Sequence, residues 1–80
     1  MTEIIVVTTT TCPKCPAFSD EIHNIDSSQY DKVRFINETH SDFMSVCKKY
    51  DLTVAPIALV FKEGELVGKY DTVEELKENL

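Results

Sequence analysis

"EIIVVTTTTCPKCPAF", Glu3 to Phe18, joins a β-branched apolar run to two cysteines set among prolines. Ile4, Ile5, Val6 and Val7 show no polar alternation, the pattern of a strand covered on both faces, and this places it at the centre of a sheet. Beyond the threonine loop, Phe18, Ile22 and Ile25 recur at helical spacing while Asp20, Glu21, His23 and Asn24 fill the remaining arc. An amphipathic helix from Pro13 to about Ile25 is predicted. Cys12 and Cys15 thus stand where a buried strand hands over to a helix. They can be half of a metal site, a structural disulfide or a reacting pair.

The chain downstream reads as further short elements. "KVRFIN", Lys32 to Asn37, is a strand with at least one buried face. Thr39 with Asp42 fits a capping box, and Phe43, Val46, Cys47 and Tyr50 then line one face of a second helix. "PIALVF", Pro56 to Phe61, and "ELVGKY", Glu65 to Tyr70, are strands joined by a tight hairpin in which Gly64 takes positive φ. Asp71 or Thr72 caps a last helix with Val73, Leu76 and Leu80 inward. The order β-α-β-α-β-β-α predicts an α/β fold, a four-stranded mixed sheet flanked by helices, as one domain over residues 1–80. The right-handed crossover makes the first two strands parallel, and the hairpin makes the last two antiparallel.

Composition narrows the function. Of 80 residues, 42% are hydrophobic and 28% charged, ordinary for a globule, and 14 acidic against 8 basic residues give a net charge of −6. That charge argues against nucleic acid or an anionic membrane surface as partner. "MTEII" lacks the basic start and apolar run of an export signal, and three cysteines without a scaffold spacing suit a reducing, cytoplasmic setting.

A thiol attacks as thiolate, and an unperturbed cysteine is mostly protonated at neutral pH. At the start of a helix, unpaired N–H groups and the positive end of the dipole favour an anionic Cys12. Pro13 suits the first helical position, since its missing N–H has no partner there anyway. Lys14, between the sulfurs, lowers the Cys12 pKa further. Cys15, one turn on, is more enclosed. Cys12 then attacks a substrate disulfide and Cys15 resolves the mixed disulfide. A proline at the mouth of an apolar strand predicts a cis Ala55-Pro56 bond beside the cysteines, leaving the Ala55 backbone open to an extended substrate.

The strand "EIIVV", "CPKC" opening a helix, "TVAP" before the third strand and "FKEGELV" together resemble the thioredoxin/glutaredoxin family along almost the whole chain. The short length and Pro13 are similar to glutaredoxin, "VFKEGELVGKY" to thioredoxin, as in the small glutaredoxin-like thioredoxins. The resemblance implies a thioredoxin-like fold and a thiol-disulfide oxidoreductase with Cys12 as nucleophile, Cys15 as resolver and Pro56 as the neighbouring cis-proline. It also implies disulfide-bearing protein substrates such as ribonucleotide reductase, a thioredoxin reductase or glutathione as electron source, no bound cofactor, and a monomer. Thr9 and "GKYD", Gly68 to Asp71, stand where glutaredoxins often carry a basic residue and a Gly-Gly pair.

The competing reading is a metal-binding or metal-delivery module using the same thiols. A closed zinc site needs four ligands, and only Cys47, His23 and His40 remain, none at the required spacing, so no metal site is expected. Cys47 is expected as a buried inert thiol, His23 and His40 as surface residues with His40 in the first turn of the second helix, and Tyr30 and Tyr70 as half-buried packing.

Overall fold

The computed structural model of the protein describes residues 1–53 and 55–80; Val54 of the "TVAP" stretch lies outside them. In chain order the elements are β1 (Thr2–Val7), α1 (Cys15–His23), a single 3-10 turn (Ser27–Gln29), β2 (Lys32–Ile36), α2 (Phe43–Lys49), β3 (Ile57–Lys62), β4 (Glu65–Tyr70) and α3 (Val73–Glu78). The strands lie in the order β2-β1-β3-β4. β1 runs parallel to β2 and antiparallel to β3, and β3 antiparallel to β4. This is the mixed sheet the sequence predicts, with β1 between two neighbours and Ile4 to Val7 buried.

Side chains of a strand alternate between faces, so the continuous apolar runs of β1 and β3 feed two layers. Ile4, Val6, Ala58 and Val60 meet Phe18 and Ile22 of α1 and Val73 and Leu76 of α3. Half-buried Tyr30 and Tyr70 pack against the same layer, as expected. On the other face, Ile5, Val7, Leu59 and Phe61 meet the α2 stripe of Phe43, Val46, Cys47 and Tyr50. No position of this seven-residue helix is fully buried. Cys47 is therefore half-buried rather than buried as expected. His23 is exposed as expected, but its ring stacks on Phe35 with centroids 4.7 Å apart.

The capping box expected at Thr39 does not form. The side chain of Asn37 takes the Thr39 N–H at 2.9 Å and its hydroxyl as well, a local turn that competes with helix entry. The helix starts later, at Phe43, and His40 precedes it, with Nδ1 accepting the Asp42 N–H at 3.0 Å. At the other end Asp51 adopts φ 55° and the Leu52 N–H returns to the Cys47 carbonyl at 2.9 Å, a Schellman closure with aspartate where glycine is usual. The β3–β4 turn needs positive φ twice, at Glu63 (54°) and Gly64 (82°). Gly68 makes room for a neighbour: a Cβ there would meet the far end of the Tyr70 ring and its hydroxyl, which would have to move.

Because β1 and β2 are parallel, the segments leaving them emerge at the same end of the sheet. There the Thr8 N–H donates to the Ile36 carbonyl at 2.9 Å. The Thr10 N–H donates to both carboxylate oxygens of Glu38 at 2.8 and 2.9 Å, and the Thr10 hydroxyl donates to one of them. The Thr10 hydroxyl and amide hold the Glu38 carboxyl below the usual glutamate range.

Two outcomes are expected. Ile22, 0% exposed, is the centre of the α1 contact, and Ile22→Ala lowers stability by about 3 kcal/mol in urea unfolding. The Glu38 latch favours the ionised carboxylate, so it is intact above the ordinary glutamate range and is lost as pH falls through the lowered folded-state value. Hydrogen-exchange protection of the Thr10 amide should fall over that acid window in the wild type and be uniformly low in Glu38→Ala. Equal, pH-independent protection in both proteins excludes the latch.

Candidate functional site

The site forms where β1 ends and β3 begins. Val7 and Ile57 are partners in the antiparallel ladder, so the loop after β1 and the segment before β3 lie side by side. Cys12 lies toward the end of the first and Pro56 ends the second. Their juxtaposition follows from strand register, not from any affinity between them.

The helix entry differs from the sequence expectation. Regular α1 begins at Cys15 with Lys14 as N-cap, and its first long bond runs from the Phe18 N–H to the Lys14 carbonyl at 3.1 Å. Pro13 is in the turn before the helix, not at its first position. Pro16 supplies the reason. A helix starting at Pro13 would have the Cys12 carbonyl accept from the amide four residues on, and that residue, Pro16, has no N–H. Pro16 itself sits in the first turn, where the missing donor breaks nothing.

Cys12 therefore lies outside the helix and Cys15 is its first residue. The two sulfurs are joined as a disulfide with Cα atoms 5.4 Å apart, an ordinary spacing for one. The bond draws the Cys12 sulfur to the start of α1. The Cys15 and Ala17 amides there have no carbonyl one turn back within the helix to bond. The partners differ in access: Cys15 is 4% exposed, whereas Cys12 is intermediate and Lys14 between them is exposed.

The Ala55-Pro56 peptide bond is cis, as the sequence predicts. Pro56 is buried and Ala55 half-buried. The Sγ of Cys12 lies 3.8 Å from the Ala55 carbonyl oxygen. Among the described residues no backbone hydrogen bond reaches either group of Ala55. The chemistry this allows is specific. A sulfur with one open side stands next to a short length of free backbone, and its partner sulfur waits behind it.

All six residues singled out from the sequence, Cys12, Pro13, Lys14, Cys15, Ala55 and Pro56, fall around this junction. Glu38, and the acidic residues Glu21, Asp71 and Glu74 that line an open groove together with Lys14 and Pro56, are not singled out as site residues by the sequence. The one available signal for Glu38 was the parallel pairing of β1 with β2, which puts whatever follows β2 beside the loop after β1. Among the described residues no three His, Cys, Asp or Glu side chains converge as metal ligands, and no helix is long and apolar enough to cross a membrane.

Comparison with known proteins agrees with this geometry. The Thioredoxin family model matches residues 2–80. No curated protein sequence matches the chain. Among solved structures, thioredoxin f from spinach chloroplast (short form) superposes with a TM-score of 0.78 at 18% identity, covering 98% of this chain and 71% of that one. Oxidised thioredoxin O2 from Arabidopsis thaliana gives 0.81 at 16% identity over 100% and 75%. Thioredoxin f2 in complex with ferredoxin:thioredoxin reductase gives 0.77 at 15% over 98% and 73%. With a cysteine pair at the active-site position and a family match across nearly its full length, the chain belongs to the thioredoxin family of thiol-disulfide oxidoreductases.

Proposed function

We propose that the chain is a small dithiol electron carrier that reduces protein or low-molecular-weight disulfides through Cys12 and Cys15, with no bound cofactor. The observation that carries this reading is the asymmetry of the pair: Cys12 is open beside the Ala55 carbonyl, whereas Cys15 is 4% exposed.

In the reduced protein the Cys12 thiolate attacks one sulfur of a substrate disulfide. A bond forms between Cys12 Sγ and that sulfur, and the other substrate sulfur leaves as thiolate. Cys15 then loses its proton and attacks Cys12 Sγ. The mixed disulfide breaks, the second substrate thiolate departs, and the intramolecular disulfide closes. Two electrons pass from the dithiol to the substrate, and the two released thiolates take up protons from Cys15 and solvent. An extended substrate segment at Ala55 would hold its disulfide in line with Cys12 by backbone pairing.

The unpaired first-turn amides and the Lys14 cation both favour charge on Cys12 in the reduced state. A lower nucleophile pKa stabilises the dithiol form and makes the couple more oxidising. The complex of thioredoxin f2 with a reductase supports a protein reductase as the class of electron donor, with glutathione the competing one. An enzyme left with a disulfide at the end of turnover, such as ribonucleotide reductase, is the client the resemblance implies.

Reduction of insulin disulfides and of a small disulfide tests the roles. Cys12→Ser should lose activity completely while remaining folded. Cys15→Ser should accumulate a mixed disulfide at Cys12, visible by mass. Activity surviving in Cys12→Ser would falsify the assignment. Lys14→Glu should raise the Cys12 pKa and make the potential more negative by about 10–30 mV, a modest shift because an exposed charge is screened. The wild-type potential should lie above about −270 mV. Thiol titration and equilibration with a glutathione buffer read both quantities.

A further inference from the structure

An open groove of about 300 Å³ starts at the cysteine junction and runs between α1 and the start of α3. Lys14 and Pro56 line it at the sulfur end, and Phe18 contributes to its apolar wall. Its other charged residues are Glu21, Asp71 and Glu74, all exposed. Three carboxylates against one amine give the groove a net charge of about −2 at neutral pH. The groove borders the disulfide through two chain neighbours: Lys14 lies between the two cysteines in sequence, and Pro56 follows Ala55, whose carbonyl is 3.8 Å from Cys12 Sγ.

From this charge and shape, and resting on the dithiol-carrier reading above, we infer that the groove selects protein disulfides flanked by lysine or arginine. It disfavours disulfides carrying carboxylates. A basic side chain is suited to it twice over, because its aliphatic stem can lie against Ala17 and the exposed edge of Phe18 while its charged head stays at the acidic rim. An anionic segment placed in the same groove faces like charges without a compensating cation beyond Lys14. The overall charge of −6 acts in the same direction at long range, as does the Glu38 carboxylate on Thr10 outside the groove; the groove acids differ in lining the surface on which a substrate segment would lie.

The test uses three short peptides, each a disulfide-linked dimer with the cysteine flanked by lysines, glutamines or glutamates. Each is mixed with the reduced 80-residue chain, and the single-turnover rate is followed. The lysine peptide should react about tenfold faster than the glutamate peptide, with the glutamine peptide between them. The ratio should approach one at about 1 M salt, where the screening length is about 3 Å. In the combined Glu21→Gln, Asp71→Asn, Glu74→Gln variant the ratio should fall to about twofold. A control with Glu63→Gln, Glu65→Gln and Glu78→Gln makes the same change in net charge at the hairpin and the far end of α3, and should keep most of the preference.

Equal rates for all three peptides, with the glutamine peptide reduced normally, overturn the groove assignment and leave the carrier reading standing. Equal loss of preference in both variants also overturns it, since the overall field is then sufficient. Failure to reduce any of the peptides removes the carrier reading and this inference with it.

Discussion

The ladder between β1 and β3 is the constraint from which the rest follows. Ile4 to Val7 and Ile57 to Val60 are buried on both faces, so their register is fixed by two hydrophobic layers at once. A slip of one residue would exchange the layers facing α1 with those facing α2, and both have their own set of partners. The Val7–Ile57 pairing is therefore strongly determined, and with it the meeting of Cys12 and Ala55. The Cys12 sulfur and the Ala55 carbonyl oxygen are brought to 3.8 Å by two apolar layers packed on either side of the sheet.

The asymmetry of the cysteines has an equally local cause. Pro16 denies a hydrogen bond to the Cys12 carbonyl, so the helix cannot take in Cys12 and begins at Cys15. One cysteine becomes the buried first residue of a helix and the other the end of a loop. That loop is secured by the Glu38 carboxylate gripping Thr10 and by the Thr8 amide on Ile36. The loop that carries Cys12 is thereby tied to the end of β2.

Much of this was legible in the sequence because it rests on short-range rules. The β-branched run of β1, the bounds of β4, the hairpin glycine and the threonine cap of α3 each reflect local preference, and the Thr72 hydroxyl does accept the Glu75 N–H at 3.3 Å. The cysteine pair and the cis-proline were legible for the same reason. What sequence reading misjudged depended on competition. Thr39 prefers a cap by type, but Asn37 is nearer, and Pro13 suits a helix start only if the residue three further on can donate. The half-exposure of Cys47 and the groove acids depend on distances between elements that no local pattern encodes.

The register shift in β4 bears on how these molecules meet one another. Gly68 pairs with Val60 and Leu66 with Phe61, leaving Val67 as an extra residue, 51% exposed, that bends this outer strand. The opposite margin of the sheet, β2, carries Lys32 and Arg34. A bent ribbon on one side and a cationic one on the other are poor templates for a neighbour's main chain, so crowded copies resist stacking into fibrils.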